Sequence, residues 1–289
     1  RLRVRMAIAF AALAQPGRRC GVRTAARALA DELERQIHPD GGHMSRSPAA
    51  LAAILADLLP LRQLFAQRHQ PLPRGIFAAI DRMLPALRFF RHADGATALF
   101  NGAGVTDNHL LAALSRYDET LGEPISQMRQ TGYQRMSAGR AVVIAETGMP
   151  PAPAVSGDAH AGTLAFEFSA GGRRLVVNCG APQRHDAGWR RLSRTTAAHS
   201  TLTLNDHSSS RFSRSERLDR FLGGPLLPGP TRVPVNREDA RGGQTLTAAH
   251  DGYRRAFGFV HERQMTLADD GRTLEGVDRL RRLFGAAQA

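Results

Sequence analysis

The sequence predicts a chain of two regimes, a helical portion up to about residue 118 followed by an antiparallel β-sandwich over 119–289. Two observations predict it. Apolar residues recur at helical spacing through the first part, and from Tyr133 onward short apolar or alternating runs, separated by Gly- and Asp-containing turns, take over. The 289 residues, 42% of them hydrophobic, are enough for two ordinary domains with real cores.

The helical elements follow in order. Residues from Arg1 read as an apolar segment with a basic start that continues into another helix. That start resembles a signal peptide only superficially, and with no initiator Met the chain is read as a fragment whose true N-terminus lies elsewhere. Leu29, Leu33 and Ile37 then form a stripe ending before Pro39-Asp40-Gly41-Gly42. Ser47 caps the next helix, with Pro48 at its first position and a buried stripe from Leu51 to Phe65; Pro60 should kink it. A further helix runs from about Arg74 to Arg91, and Thr106 caps a short one through Leu114. Such antiparallel helices fit a bundle or a helical toroid.

The strands predicted are Ala141–Glu146, Thr163–Phe168, Arg173–Asn178, Ser200–Asn205, Gln244–Ala249, Phe257–Leu267 and Arg272–Leu280. The second and third flank a turn, Ser169–Gly172, and form a hairpin; Asp269-Asp270-Gly271 turns the last pair. Pairing outward from the first turn sets Asn178 opposite Thr163, with His160 just beyond the open end. If Ser200–Asn205 joins the same sheet, His160, Asn178 and His199 converge. Two neutral imidazoles and an oxygen ligand suit Zn or a similar divalent ion; a hydrogen-bonded polar network at a sheet edge accounts for the same residues. Glu167 and Asp186 are alternative oxygen donors, whereas His185, Asp206 and His207 read as solvated loop residues. Cys179, next to Asn178 on a strand, should point the other way and be buried.

Composition narrows the function classes. The formal charge is +13, and all 39 basic residues are Arg, against 26 acidic ones. Absence of Lys beside abundant Ala, Gly and Pro reads as codon bias, with no nucleic-acid partner expected; the other reading is a surface that attracts anionic polymers, acidic polysaccharides among them. Cys20 and Cys179 fall in different regimes, which excludes a disulfide framework. No uninterrupted apolar run reaches about 18 residues, so no transmembrane segment is predicted. Other polar residues admit two readings each: His43 as catalytic or exposed beside a helix start, Arg46 as a carboxylate binder or a surface Arg, His261 and Arg263 as one face of a strand in a cleft or in solvent, and Trp189 as a sugar-stacking or packing residue.

Four segments together resemble the heparinase II/III-like family of polysaccharide lyases. His160-Ala161-Gly162-Thr163-Leu164-Ala165-Phe166 is similar to that family's H-A-D-x-L-S-F run, and Arg194 to Ser200 (RTTAAHS) to its R-S-T-x-A-H-N segment. HDGY at 250–253, followed by His261 and Arg263, also fits, as does Asp40-Gly41-Gly42-His43 with Ser47-Pro48. The resemblance implies the C-terminal portion of an α/α toroid (1–118) joined to a β-sandwich (119–289), with the substrate cleft between them. It implies β-elimination of an acidic, uronate-containing polysaccharide or envelope glycan, and residence in the cell envelope or periplasm. Residue by residue it implies His43, Asp158 and Tyr253 as catalytic, Arg46, Trp189, His261 and Arg263 as substrate-binding, and His160, Asn178 and His199 as metal ligands. Three positions depart from the pattern: Asp158 stands where the family's working His commonly sits, Asn178 where an Asp ligand sits, and Ser45 where a Glu sits. A non-catalytic glycan-binding or structural module that kept the fold is the alternative function.

Overall fold

Five helices precede the strands in the computed structural model, which describes residues 1–15, 19–120, 122–182, 186–227 and 229–282. They are α1 (Leu2–Ala14), α2 (Arg19–Gln36), α3 (Pro48–Gln67), α4 (Arg74–Phe89) and α5 (Asn108–Ser115). The stripe Leu29, Leu33 and Ile37 is buried, and so is that of α3, Leu51, Leu55, Leu58, Leu61 and Phe65. Ser47 caps α3 by accepting from Ala50 N, with Pro48 at its first position, and the helix runs on through Pro60. Among the described residues α3 alone is long and apolar enough to cross a membrane, and its buried stripe is part of the core. The cap of α5 is Asp107 rather than Thr106: the Asp107 carboxylate accepts from His109 N, the stronger capping geometry.

Two antiparallel sheets follow. The first has the order β1 (Gln127–Met128), β2 (Tyr133–Ala138), β3 (Ala141–Glu146), β4 (Phe166–Ala170), β5 (Arg173–Val176). The second contains β6 (Val235–Ala240), β7 (Gly243–His250), β8 (Phe259–Ala268) and β9 (Leu274–Arg282), in that order. Between them run the short helices α6 (Ala187–Leu192), α7 (Glu216–Leu222) and, before β8, α8 (Arg254–Phe257).

The first sheet is covered on both faces, which explains the continuous apolar run of β3. Val142 and Ile144 pack with the helices, together with Tyr133 and Ala165. Ala141, Val143 and Ala145 face the second sheet and meet Leu246, Met265 and Leu267. Helices, first sheet and second sheet thus form three layers, and residues at the end of β3 reach the helix–sheet seam.

The hairpin differs from its expected register. The turn is the two-residue Gly171-Gly172, both at positive φ, and a bulge follows at Phe168/Ser169. Phe168 therefore pairs with Val176, and β5 ends there, short of Asn178. Alternation does not continue beyond that end, so Cys179 is exposed rather than buried. Ser200–Asn205 is not a strand. Its backbone is satisfied by side chains instead: Ser200 N donates to Asn178 Oδ1, Arg263 donates to Ser200 O, and Tyr253 OH to Leu202 O.

Candidate functional site

Three buried polar groups hold the helices to the sandwich. The first is built from Asp40-Gly41-Gly42-His43. Asp40 Oδ1 accepts from Thr131 Oγ1 at 2.6 Å and Oδ2 from Thr131 N at 2.8 Å, tying the turn to the start of the first sheet. The fork of Arg46 donates from Nε to Thr131 O, from Nη2 to Gly132 O and from Nη1 to the carbonyls of Gly148 and Met149. Its Nη1 is also 3.1 Å from the carboxylate of Glu146. Arg46 is thus held by four backbone carbonyls and one carboxylate of the protein itself and serves as a joint between layers. His43 is tied locally as well: Nδ1 accepts from Ser45 N, and Nε2 is 3.0 Å from Gln36 Oε1. Burial, then the neighbouring His38, lowers its pKa to about 4.

The second group surrounds Asn101. Its amide nitrogen donates to Tyr133 OH (2.7 Å) and to Glu146 Oε1 (2.8 Å), and its oxygen accepts from His160 N (2.9 Å). Tyr133 OH in turn donates to Arg46 O. Burial, reinforced by Glu146, pushes the Tyr133 phenol far above its usual range. Burial also raises the Glu146 carboxyl, against the opposing pull of Arg46 and Asn101. The neighbouring Gly102, at φ +80, lies so close to Asp158 that a Cβ would stand 2.6 Å from that residue's own Cβ.

The third group underlies the first sheet. Glu167, fully buried, accepts from Leu99 N and Asn178 N through Oε1, and its Oε2 meets His92 Nε2 at 2.9 Å. Glu167 is therefore occupied by the fold. Asp186, the other alternative oxygen donor, caps α6 through Trp189 N.

His160 and His199 come together with ring centroids 4.8 Å apart and planes 15° apart, stacked. They arrive from a loop and from the end of a short helical turn (Thr196–Ala198), not from adjacent strands. Asn178 Oδ1 accepts from the N–H of Ser200, the residue after His199, at 3.3 Å. His160 Nδ1, His199 Nε2 and Asn178 Nδ2 are buried without hydrogen-bond partners. Burial lowers both histidines, His199 to about 4 and His160 well below its ordinary value, the latter also through His199, Arg194 and Arg190.

These three residues do not fit zinc as they are placed. His160 Nε2 accepts from Gly102 N at 3.0 Å, so the proton of the neutral ring sits on Nδ1, the nitrogen otherwise open. A metal lies in the plane of the imidazole that binds it, and two stacked rings share no nearby point in both planes. The free atom of Asn178 is an amide nitrogen, a donor. Among the described residues no group of three or more His, Cys, Asp or Glu is placed to hold a metal.

Beside the histidine pair opens a pocket of about 380 Å³, lined by Gly102, Asp158, His160, Asp186, Arg190 and Arg194 among others. Arg190 makes its bonds through Nη2, to Gly157 O, Asp158 Oδ1 and Gly223 O. Arg194 donates from Nε to Ala159 O and from Nη2 to Ser156 O, and stacks over Phe212. Burial lowers its pKa to about 10, leaving it charged at neutral pH.

The residues expected around one cleft are dispersed. Asp158 lines this pocket, Tyr253 lines a different one on the sandwich, and His43 lies beside Ser45 and Gln36. Tyr253 is buried, donates to Leu202 O at 2.6 Å, and is raised to about 12 by burial. His261 and Arg263 do share a face of β8, but it is the inner one: both are buried and bound to Asp278, Arg263 by two parallel bonds of 2.8 Å. Trp189 is exposed on α6, outside the pocket lining. His185 lies outside the described residues. Asn101, Glu146 and Arg190 were missed in the sequence; Arg194 was visible only as the first residue of RTTAAHS.

A helical layer on an antiparallel sandwich is the fold shared with solved heparinase structures. Residues 120–286, more than half of the chain, match the Heparinase II/III-like, C-terminal family model, and the chain belongs to that family. It is 35% identical over 257 residues to FtsZ-localized protein C of Caulobacter vibrioides (strain NA1000 / CB15N), a match covering 89% of this chain and 44% of that protein. A heparan sulfate lyase HepC mutant from Pedobacter heparinus superposes with a TM-score of 0.74 at 18% identity, over 97% of this chain and 45% of that one. The heparinase III BT4657 gene product does so with 0.70 at 16%, over 93% and 43%. At such identities the solved structures speak for the fold alone. The chain spans less than half the length of each of these relatives.

Proposed function

We propose that this chain is a heparinase II/III-like module that keeps the fold, has given up β-elimination, and binds an acidic glycan in the pocket of Asp158, Arg190 and Arg194. The observation that carries the reading is the dispersal of the proton-transfer groups. β-Elimination needs a base, a neutraliser of the uronate carboxylate and an acid for the leaving oxygen, all within hydrogen-bond reach of one sugar linkage. Among the described residues the pocket offers two carboxylates, Asp158 and Asp186, and two guanidinium groups, but no phenol, and its imidazole, His160, is buried with Nε2 engaged. Both Tyr133 and Tyr253 are buried and donate to backbone carbonyls. The pocket can hold an anion by guanidinium hydrogen bonds without moving a proton.

The 35% identity with a protein named as FtsZ-localized supports the reading that this one, too, localizes with FtsZ. Incubation of the full-length protein with a panel of uronate polymers tests the reading. Expected are calorimetric binding and no rise in the ultraviolet absorbance of an unsaturated uronate. A rise overturns the loss of catalysis, and absence of binding across the panel overturns the glycan. A fluorescent fusion that does not co-localize with FtsZ overturns the location.

A further inference from the structure

A larger pocket, of about 770 Å³, lies on the sandwich, built from residues after position 206 and therefore separate from the helix–sheet seam. Its lining includes His207, Arg211, Tyr253, Arg254, Arg255 and Phe257. The volume falls in the range of small-molecule sites.

Three observations point to a ligand. The side chains of Arg211, Arg254 and Arg255 are exposed and have no ion-pair partner among the described residues, whereas Arg190, Arg237, Arg263 and Arg281 are each paired with an acid. The one acid in the lining, Asp251, is engaged by Thr231 N, Thr231 Oγ1 and Arg232 N, so it does not neutralise them by contact. The aromatic wall is ordered: His207 and Phe257 meet edge to face at 5.1 Å, with Tyr253 at 6.3 Å from Phe257. His207 is held there by a tight turn in which Asn205 and Asp206 both adopt left-handed backbone, φ 46 and 57, and its Nδ1 bonds Asn205 O. Asn and Asp are the non-glycine residues that adopt this region most readily, and the two-residue turn bridges Leu204 and His207, which fixes the imidazole in the wall.

We propose that this pocket is a second binding site for an acidic glycan, taking a carboxylated or sulfated sugar ring. Guanidinium forks match the planar carboxylate and the sulfate oxygens, and aromatic edges beside them suit the apolar face of a sugar. The inference rests on the glycan reading of the protein but not on the pocket at the seam. A polymer long enough to span both sites would gain affinity without new contacts.

The test uses the full-length protein and a size series of uronate oligosaccharides, with inorganic phosphate and ATP as competing anions. The paired change Arg254→Glu, Arg255→Glu is compared with Arg3→Glu, Arg5→Glu, an equal charge change on the exposed face of α1. Expected are at least a tenfold loss of affinity and a shallower salt dependence in the first pair only, with glycan-induced slowing of hydrogen exchange at 205–211 and 251–257. Equal losses in both pairs would reduce the effect to net charge and overturn the site. Tighter binding of phosphate or ATP than of any sugar would overturn its assignment. Loss of binding in Arg190→Ala but not in the Arg254/Arg255 pair leaves the seam pocket standing and removes this one; the reverse pattern does the opposite.

Discussion

Removing the guanidinium of Arg46 is the sharpest perturbation available at the seam. Arg46 and Glu146 are both buried, 5% and 2% exposed, and stand 3.1 Å apart. Arg46→Ala leaves a buried carboxylate without its cation and withdraws the donors to the carbonyls of residues 131, 132, 148 and 149. Breaking a buried pair from one side costs about 3–5 kcal/mol. The separate hydrogen bonds are not added to this figure, because water can enter the space left by the side chain. Against a typical total stability of about 5–15 kcal/mol, that is a large fraction. Urea unfolding followed by circular dichroism should therefore show a midpoint lowered by about 1–2 M, given a slope of about 3 kcal/mol per M, the upper end of the usual range, for a chain of this size. Adding Glu146→Gln removes the stranded charge and should recover about 1–2 kcal/mol. The sign with pH is fixed by Glu146. Its folded pKa lies above the ordinary 4.5, so the folded state holds the proton more tightly and this group favours folding as the pH falls through the raised value. The deficit of Arg46→Ala should thus shrink in acid. An Arg46→Ala chain within about 0.5 kcal/mol of the parent, or one that Glu146→Gln does not rescue, would refute the joint and return Arg46 to ligand binding.

Three other outcomes follow from the same geometry. Titration with a competing chelator should find no tight zinc binding to the folded protein, and His199→Ala should leave that result unchanged; stoichiometric zinc lost in His199→Ala would reinstate the metal site. His43, His160, His199 and His250 all have pKa values pushed below the ordinary 6.5 by burial, so each favours the folded state above that value and opposes it as the pH falls toward the lowered one. The unfolding free energy read from urea curves should therefore fall between pH 7 and pH 5; a flat profile would contradict their burial. Trp189→Ala, at 63% exposure, should change stability by less than about 0.5 kcal/mol; a larger loss would make it a packing anchor.

Local periodicity carried the fold. The spacing of Leu29, Leu33 and Ile37 and the stripe of α3 encode burial directly, and AVVIAE at 141–146 announces a strand covered on both sides. β6 escaped because VNREDA has no apolar pattern; it is an exposed edge whose order comes from pairing with β7. Ser200–Asn205 alternates like a strand, yet its carbonyls and amides find side chains from residues far away in sequence, which no window reveals. The site was legible as a list of residues but not as an arrangement. His160 and His199 do meet, by way of loops and not by hairpin register, while Asn178 bonds Ser200, the residue after His199. Arg46, His261 and Arg263 looked available because exposure of a charged residue is the ordinary expectation; their partners, Glu146 and Asp278, lie on distant strands.

The central claim is that binding outlived chemistry. Its most direct test is one cuvette: the full-length protein with an acidic polysaccharide that calorimetry has shown it to bind, followed in the ultraviolet under saturating substrate. Loss of β-elimination predicts a flat trace that Asp158→Ala leaves unchanged. A steady rise abolished by Asp158→Ala would contradict it and make Asp158 the base of a working lyase.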